Sequence, residues 1–245
     1  MILDEKIAVV TGGGGGIGRI ICLDLARHGA SVIILARSRN EIERTKELIL
    51  KNEGAAISYV CDVSNEKDVK KTVLKIVKKY GKIDILINNA GVKFKKSLVE
   101  TSLEDYERIM NTNLKGTFLL SKYILPYIPK NDKGVIINIS SGAGKLGIKD
   151  LSVYCASKFA VIGLTEALAL ELISKVKVYT VCPGDVEPSP YHSLSKKINP
   201  HAISEKVVEL ASGKSRFPSG FSVGVYNRRD FWLYFRSKIA LFFNR

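Results

Sequence analysis

The chain reads Thr11-Gly12-Gly13-Gly14-Gly15-Gly16-Ile17-Gly18 where its first apolar segment, Lys6–Thr11, gives way to a helical pattern, Gly16–His28. Glycine lets the backbone turn sharply and approach a pyrophosphate closely, and the N-terminus of the following helix supplies free N–H groups and a favourable dipole. A glycine-rich turn alone is a weak signal, but its position between the first strand and the first helix is typical of dinucleotide binding. The residues predicted to contact that ligand are Thr11, Gly12, Gly14, Gly15, Gly16, Ile17 and Gly18.

Short apolar runs alternate with longer helical patterns along the next 160 or so residues. Most of the runs are continuously apolar, which indicates a sheet covered on both faces. Strict alternation of strand and helix implies right-handed crossovers and a parallel, doubly wound sheet. We therefore predict one α/β domain, a Rossmann fold over residues 1–245 with helices on both faces. Further strands are predicted at Ser31–Ala36, Ala56–Cys61, Ile83–Asn88, Gly134–Ser140 and Val176–Cys182, and further helices at Asn40–Asn52, Asn65–Tyr80, Ser102–Tyr127 and Leu151–Ser174.

The pattern changes after Cys182, where several prolines indicate a long loop. Residues 184–227 are predicted to form a substrate loop, a short helix near Ser204–Ser212 and a last strand, Phe221–Tyr226. Residues 228–245 are predicted to form an aromatic and basic helix. Three roles are compatible with its apolar stripe: packing on a partner subunit, covering the substrate pocket, or peripheral contact with a membrane surface. The composition does not decide between these alternatives.

The charge of the chain is strongly basic. Its 38 basic and 24 acidic residues leave a net charge of +14, and about half of that excess lies in residues 191–245. Such a field attracts nucleotide cofactors, acyl thioesters, anionic lipid or nucleic acid, unless it serves solubility alone.

The N-terminus has no secretory signal pattern, and no apolar run reaches the roughly 18 residues of a membrane span, so we expect a cytoplasmic protein. The cysteines are scattered, with no CxxC and no nearby histidine, which predicts reduced core residues and no metal site. They are Cys22, Cys61, Cys155 and Cys182.

The second predicted strand ends in Ala36-Arg37-Ser38, without the acidic residue that would bind a ribose 2′-hydroxyl and favour NAD. The guanidinium of Arg37 can pair instead with a 2′-phosphate, helped by Ser38, unless it is a solvated loop residue. The sequence therefore favours NADP(H), with NAD(H) as the alternative. Asp62, in Asp62-Val63, is expected to accept a bond from the adenine amino group or to cap the next helix.

Tyr154 and Lys158 lie four residues apart, on one face of a predicted helix. A phenol has a pKa near 10, and a neighbouring ammonium would lower it toward the range of a useful acid/base. This spacing alone is common by chance. It gains weight from polar residues at the ends of neighbouring strands, namely Asn88-Asn89-Ala90-Gly91 and Ser140-Ser141-Gly142, and from Asn113 in the helix between them.

Taken together, these motifs resemble the short-chain dehydrogenase/reductases from residue 5 to about residue 187. The resemblance rests on TGxxxGIG, NNAG, a helix asparagine, a serine, YxxxK and Pro-Gly, found here as Thr11–Gly18, Asn88–Gly91, Asn113, Ser141, Tyr154–Lys158 and Pro183-Gly184.

The resemblance implies that Tyr154 protonates the carbonyl oxygen of a substrate to which Ser141 donates a hydrogen bond. It implies that Lys158 lowers the pKa of Tyr154 and holds the nicotinamide ribose, and that Asn113 holds a water linking Lys158 to solvent. The remaining cofactor contacts that it implies are those of Asn89, Ala90, Gly91, Pro183, Gly184 and Val186. Pro188 stands where the family usually has a threonine that contacts the nicotinamide carboxamide, and the C-terminus also departs from the common pattern.

The sequence thus predicts an NADP(H)-dependent enzyme that acts on a small carbonyl or alcohol, with Asn113, Ser141, Tyr154 and Lys158 as its catalytic residues. A homodimer or homotetramer is expected, because Ser102–Tyr127 and Leu151–Ser174 carry more apolar surface than one sheet face covers. The alternative is a sensor or scaffold that keeps the fold without catalysis, which the intact Ser–Tyr–Lys set argues against. A nucleic-acid partner is not expected.

Overall fold

The computed structural model describes residues 1–131, 133–186 and 198–227, which form a seven-stranded parallel sheet with helices on both sides. This confirms the predicted fold class. The strands are β1 (Ile7–Thr11), β2 (Ser31–Ala36), β3 (Ala55–Val60), β4 (Ile85–Asn88), β5 (Gly134–Ile139), β6 (Val176–Pro183) and β7 (Ser222–Val225). The helices are α1 (Gly16–Arg27), α2 (Arg39–Lys51), α3 (Glu66–Tyr80), α4 (Leu103–Met110), α5 (Gly116–Ile124), α6 (Ser152–Glu171) and α7 (Pro200–Ala211).

The strand order β3-β2-β1-β4-β5-β6-β7 places the reversal of the chain between β1 and β4. β1 pairs in parallel with β2 on one side and with β4 on the other. The connections that leave β1 and β4 pass to opposite faces of the sheet, and a crevice opens beyond the carboxyl ends of these two strands. The fold therefore directs a ligand to the point where the glycine-rich turn and the Asn88–Gly91 segment meet.

Two apolar cores flank the sheet, because strand side chains alternate between its faces. Along β1, Ala8 and Val10 join the core that is completed by α1, α2 and α7. Ile7 and Val9 point into the opposite core, which α3, α5 and α6 complete. The four cysteines are buried and unpaired, as predicted.

A buried polar network fixes α5 and α6 against the centre of the sheet. Asn88 and Asn138 are directly paired on β4 and β5. Asn88 Nδ2 donates to Asn138 Oδ1 (2.8 Å) and to Ser121 Oγ on α5 (3.1 Å). Asn138 Nδ2 donates to Thr165 Oγ1 on α6 (2.9 Å), which donates in turn to the Val161 carbonyl (2.7 Å). Because α6 carries Tyr154 and Lys158, this network anchors the helix on which both side chains lie to the centre of the sheet.

The predicted helix Ser102–Tyr127 is not a regular α-helix. A π-helical turn at Asn111–Lys115 separates α4 from α5, and a 3₁₀ turn at Leu125–Tyr127 follows α5. Side-chain periodicity hardly distinguishes the two helix types, so the sequence pattern missed the wider turn. Single π-turns inside α-helices are often found at functional sites, and this one contains Asn113.

The last predicted helix of the described chain begins earlier than expected. α7 starts at Pro200, because Asn199 Oδ1 caps the helix by accepting from the His201 N–H and proline fits the first helical position. The predicted helix over 228–245, the position of Pro188 and most of the proline-rich loop lie outside the described residues.

In the described part of the chain, α6 is the one helix long and apolar enough to cross a membrane, judged by length and composition alone. It buries polar groups against the sheet, including Ser157, Lys158 and Thr165, and core helices of this kind meet the same criterion. The absence of a membrane span stays a prediction.

Candidate active site

The carboxyl ends of β1 and β4 are joined by the hydroxyl of Thr11. Its Oγ1 accepts from the backbone N–H of Asn89 (2.9 Å) and of Ala90 (3.0 Å). Asn89 Nδ2 donates back to the carbonyls of Thr11 (3.0 Å) and Gly12 (3.3 Å). Thr11 is buried and lines neither cavity described below, so its side chain braces the crevice and does not face it.

Gly18, in the first turn of α1, allows the helix to pack directly on the glycine-rich turn. A Cβ at this position would lie 2.1 Å from the Gly12 carbonyl oxygen and 2.5 Å from Asn89 Nδ2. Any side chain there would push α1 away from β4. Gly16 and Gly18 therefore shape the turn without lining a cavity.

A cavity of about 360 Å³ extends from the glycine-rich turn across the ends of β2 and β3. Arg37 is exposed on its wall, and neither an ion pair nor a hydrogen bond holds the guanidinium within the described ranges. Ser38 Oγ accepts from the Glu41 N–H (3.4 Å) and caps α2. The sequence-predicted residues that line this cavity are Gly12, Gly14, Gly15, Arg37, Ser38, Asp62, Val63, Ala90 and Gly91.

Asp62 belongs to a tight turn on the far side of this cavity. Its Oδ1 accepts from both the N–H (2.9 Å) and the hydroxyl (2.7 Å) of Ser64. The cap of α3 is Asn65, so the alternative that Asp62 caps this helix is wrong.

These walls fit a dinucleotide. The N-terminus of α1 has no side-chain cap and no acidic residue in its first turn, so its N–H groups have no capping partner from their own helix. Gly15 faces open space, since a Cβ at this position would meet nothing within 4 Å beyond the adjoining chain. Backbone donors at a helix N-terminus suit a pyrophosphate, and Arg37 adds a cation to the wall of the same cavity.

A second cavity, of about 250 Å³, begins at Gly91 and extends over the carboxyl ends of β5 and β6. Gly91 lines both cavities. The predicted residues that meet in the second cavity are Ile17, Asn89, Gly91, Ser141, Tyr154, Lys158, Pro183, Gly184 and Val186.

Lys158 is almost fully buried at the base of the second cavity. Its Nζ donates to the Ile139 carbonyl (2.9 Å) and lies 5.8 Å from the centroid of the Tyr154 ring. Burial removes water from the ammonium and lowers its pKa to about 8, an effect that Cys182 partly opposes. An ammonium has three donors, so two remain for a ligand.

The pKa of the Tyr154 phenol lies above its ordinary value, because burial disfavours the phenolate. A hydrogen bond from Ser141 opposes this rise. Desolvation of the phenol is the larger effect on this pKa, and the expected lowering by Lys158 stays a prediction.

Ser141 is oriented by its own backbone. It caps the short 3₁₀ turn Gly142–Gly144, with Oγ accepting from the Ala143 N–H (3.2 Å). Because the N–H occupies one lone pair of the oxygen, the hydroxyl proton is left to donate into the cavity, where Tyr154 is its partner in the absence of a ligand.

Asn113 lies one layer behind the cavity and does not line it. Its Oδ1 accepts from the Val92 N–H (2.8 Å), and its Nδ2 donates to the Val92 carbonyl (3.0 Å) and to Ser157 Oγ (3.0 Å). These bonds fix the segment after Gly91 against α6. The side chain thus holds the cavity wall, and its expected contact with a water molecule stays a prediction.

Several lining residues were not predicted from the sequence. Glu41 and Thr112 line the first cavity, and Lys93 and Asp185 line the second. Asp185 falls in the loop predicted to shape the substrate pocket, although no role was assigned to it, whereas Lys93 lies two residues beyond the predicted site residue Gly91, and this proximity was the available signal.

The fold and the two joined cavities define a dinucleotide-binding oxidoreductase of the Rossmann type. Comparison with known families narrows this class, because the profile of a family described as short chain dehydrogenase matches residues 6–199. The chain belongs to this family, whose members use a nicotinamide cofactor.

Relatives of known activity cover nearly the whole chain. The chain is 32% identical to 3-oxoacyl-[acyl-carrier-protein] reductase FabG of Thermotoga maritima over 92% of its length and 98% of that protein. It is 31% identical to meso-2,3-butanediol dehydrogenase of Serratia marcescens over 92% of its length and 94% of that protein. The crystal structure of a dehydrogenase/reductase from Sinorhizobium meliloti superposes with a TM-score of 0.85 at 28% identity, covering 91% of this chain and 94% of the other.

Proposed function

We propose that this protein catalyses reversible hydride transfer between NADP(H) and a small carbonyl or alcohol substrate, with Tyr154 as the acid/base. The observation that carries the proposal is the meeting of Ser141, Tyr154 and Lys158 in one cavity that shares Gly91 with the cavity suited to a dinucleotide. The nicotinamide, when bound, supplies or accepts the hydride at the substrate carbon.

The protein's own groups handle the substrate oxygen. In reduction, Tyr154 releases its phenol proton to the oxygen while Ser141 donates a hydrogen bond to it. The resulting phenolate lies near the Lys158 ammonium, which favours the charged form as it develops. The remaining Lys158 donors are suited to hydroxyls of a ribose.

The preference for NADP(H) is supported by Arg37 on the wall of the first cavity and by Ala36 where an acid would favour NAD. Glu41 lines the same wall and opposes a 2′-phosphate through its charge. The guanidinium dominates this balance, because it can bind the phosphate through two parallel N–H bonds.

We also propose that the protein is a homodimer or homotetramer formed through α4, α5 and α6. Apolar side chains on these helices remain exposed, including Leu103 (71%), Phe118 (46%), Phe159 (45%) and Leu170 (72%). Such a patch is typical of an interface between copies. The buried, unpaired cysteines support a reducing compartment, and a cytoplasmic location is proposed.

The experiment that tests the catalytic role compares Tyr154→Phe with the unmodified protein. A panel of ketones, aldehydes and alcohols is assayed with both cofactors by absorbance of the reduced nicotinamide. Tyr154→Phe should lower kcat by about 100-fold or more, since the general acid is lost. Its affinity for NADPH should stay within about threefold, because the phenol acts on the substrate.

Tyr59→Phe, on the edge strand β3, is the matched control and should keep its activity. Unchanged turnover in Tyr154→Phe would contradict the mechanism. NADPH binding without turnover of any compound in the panel would favour the sensor or scaffold alternative.

A further inference from the structure

The entrance of the second cavity carries two charged residues that the proposed reaction does not use. Lys93 follows β4, two residues beyond Gly91, and Asp185 follows β6, two residues beyond Pro183. Both line the cavity together with Ser141 and Tyr154. Since these two segments reach the site from different strands, the charges belong to the wall that a substrate would contact.

Lys93 lies close to the reacting position. Its Nζ is 6.0 Å from the centroid of the Tyr154 ring, nearly the same separation as the 5.8 Å of Lys158. Lys158 Nζ is bonded to the Ile139 carbonyl at the base of the cavity, whereas Lys93 stands at the entrance. A small molecule held in this cavity against Tyr154 therefore lies beside the wall that carries the Lys93 ammonium.

The surroundings of Lys93 favour an anion. Partial burial in the cavity lowers the pKa of its ammonium, and the Asp185 carboxylate opposes that change. Two lysines and one aspartate are the charged side chains on the described wall, so this wall is positive overall.

The neighbouring lysines differ from Lys93 in their positions. Lys96 forms an ion pair with Asp105 on α4 (2.5 Å). Lys95 is exposed, as Lys93 is, but does not line the cavity. The local charge run alone therefore does not account for the placement of Lys93 beside Tyr154.

We propose that Lys93 is a specificity-determining residue that binds a carboxylate on the substrate, so that the preferred substrates are short oxo acids and the matching hydroxy acids. This inference rests on the proposed function. A monoanionic carboxylate fits one lysine beside one aspartate, whereas a phosphate would bring a second negative charge toward Asp185.

The test uses matched acids and amides that differ only in charge: 3-oxobutanoate with 3-oxobutanamide, and 2-oxobutanoate with 2-oxobutanamide. The ratio of kcat/KM for acid over amide is measured for the unmodified protein and for Lys93→Met. We expect the ratio to exceed about 10 for at least one pair and to fall about tenfold or more in Lys93→Met, the size of a charge-assisted contact. Lys95→Met, the matched control for net charge, should leave the ratio unchanged, and Asp185→Asn should raise it.

An acid-to-amide ratio near one for both pairs would overturn the inference, as would a fall of the ratio in Lys95→Met equal to that in Lys93→Met. In either case turnover of the compounds would still support the proposed function. Calorimetric titration of the same compounds in the presence of NADP⁺ tests the carboxylate site when no turnover is seen. If no compound is turned over but the acids bind more tightly than the amides only when Lys93 is present, the proposed reaction fails and the carboxylate site stands. Equal binding of acids and amides would refute the site independently of catalysis.

Discussion

Replacing the buried Lys158 with methionine is expected to change how folding stability depends on pH. Burial holds the pKa of this ammonium at about 8 in the folded protein, against 10.5 for lysine in water. Below pH 8 the amine is protonated in both the folded and the unfolded chain, so the desolvation penalty is present in full. As the pH rises from 8 toward 10.5, the folded protein loses the proton first, and the unmodified protein gains stability relative to Lys158→Met.

The size of this gain follows from the two pKa values. A tenfold difference in proton affinity corresponds to about 1.4 kcal/mol. Integrated from about pH 7 to about pH 9.5, the free energy of unfolding of the unmodified protein should rise by about 2 kcal/mol relative to Lys158→Met. The titration of Cys22 and Cys61 is common to both proteins and cancels in the difference, and only Cys182, which interacts with Lys158, responds to the substitution.

Urea unfolding at about pH 7, 8 and 9.5 measures the difference, with the protein concentration held constant because an oligomer links stability to concentration. Lys75→Met, on the exposed face of α3, controls for the loss of a surface lysine and should show no such trend. A difference between Lys158→Met and the unmodified protein that stays constant across this range would refute the reasoning.

Three further changes test the cofactor site, the scaffold and the assembly. Arg37→Asp should reverse the preference from NADPH to NADH and shift the ratio of their dissociation constants by roughly 30-fold or more, because a charge-assisted pair becomes a repulsion. Glu41→Gln should move this ratio in the opposite direction. Fluorescence titration with both cofactors measures the ratio, and equal affinities in the unmodified protein would contradict the assignment. Asn138→Ala should lower the free energy of unfolding by about 2–4 kcal/mol, since it removes hydrogen-bond partners from the buried side chains of Asn88 and Thr165. A loss below about 1 kcal/mol, measured by urea unfolding, would contradict a stabilising role of this hydrogen-bond network. Phe118→Asp should shift the assembly toward monomer because it places a charge in the exposed apolar patch; a monomeric mass for the unmodified protein by light scattering would remove the basis of this prediction.

The sequence predicted the sheet well because burial dictates it. β2 matches its prediction in full, and the other strands differ by a few residues at their ends, where chain direction and caps decide the boundaries. The glycine-rich turn, Ser141, Tyr154 and Lys158 came together as predicted, since parallel strands and α6 bring them to one edge. Strand periodicity and short motifs report on these features directly.

The sequence failed where the outcome depends on a balance of forces or on a partner distant in the chain. The rise in the pKa of Tyr154 follows from its burial, which the YxxxK spacing does not encode. Asn113 bonds to Val92 and Ser157 from within a π-turn, which helical periodicity does not reveal. Lys93 and Asp185 meet only because β4 and β6 end at the same edge of the sheet, with β5 between them.

Gly91, which both cavities share, has a consequence for how such a site can diversify. A methyl group at this position would lie 3.4 Å from Lys158 Nζ and 3.3 Å from Asn113 Oδ1, so even alanine would crowd both side chains. A larger side chain would have to displace the Lys158 ammonium or the Asn113 amide, and either shift would disturb the second cavity. Substrate selectivity is therefore better changed at the residues that follow Gly91 and Gly184 in the wall of the second cavity, such as Lys93 and Asp185, than at Gly91 itself. Variants designed for a different substrate should therefore keep glycine at position 91.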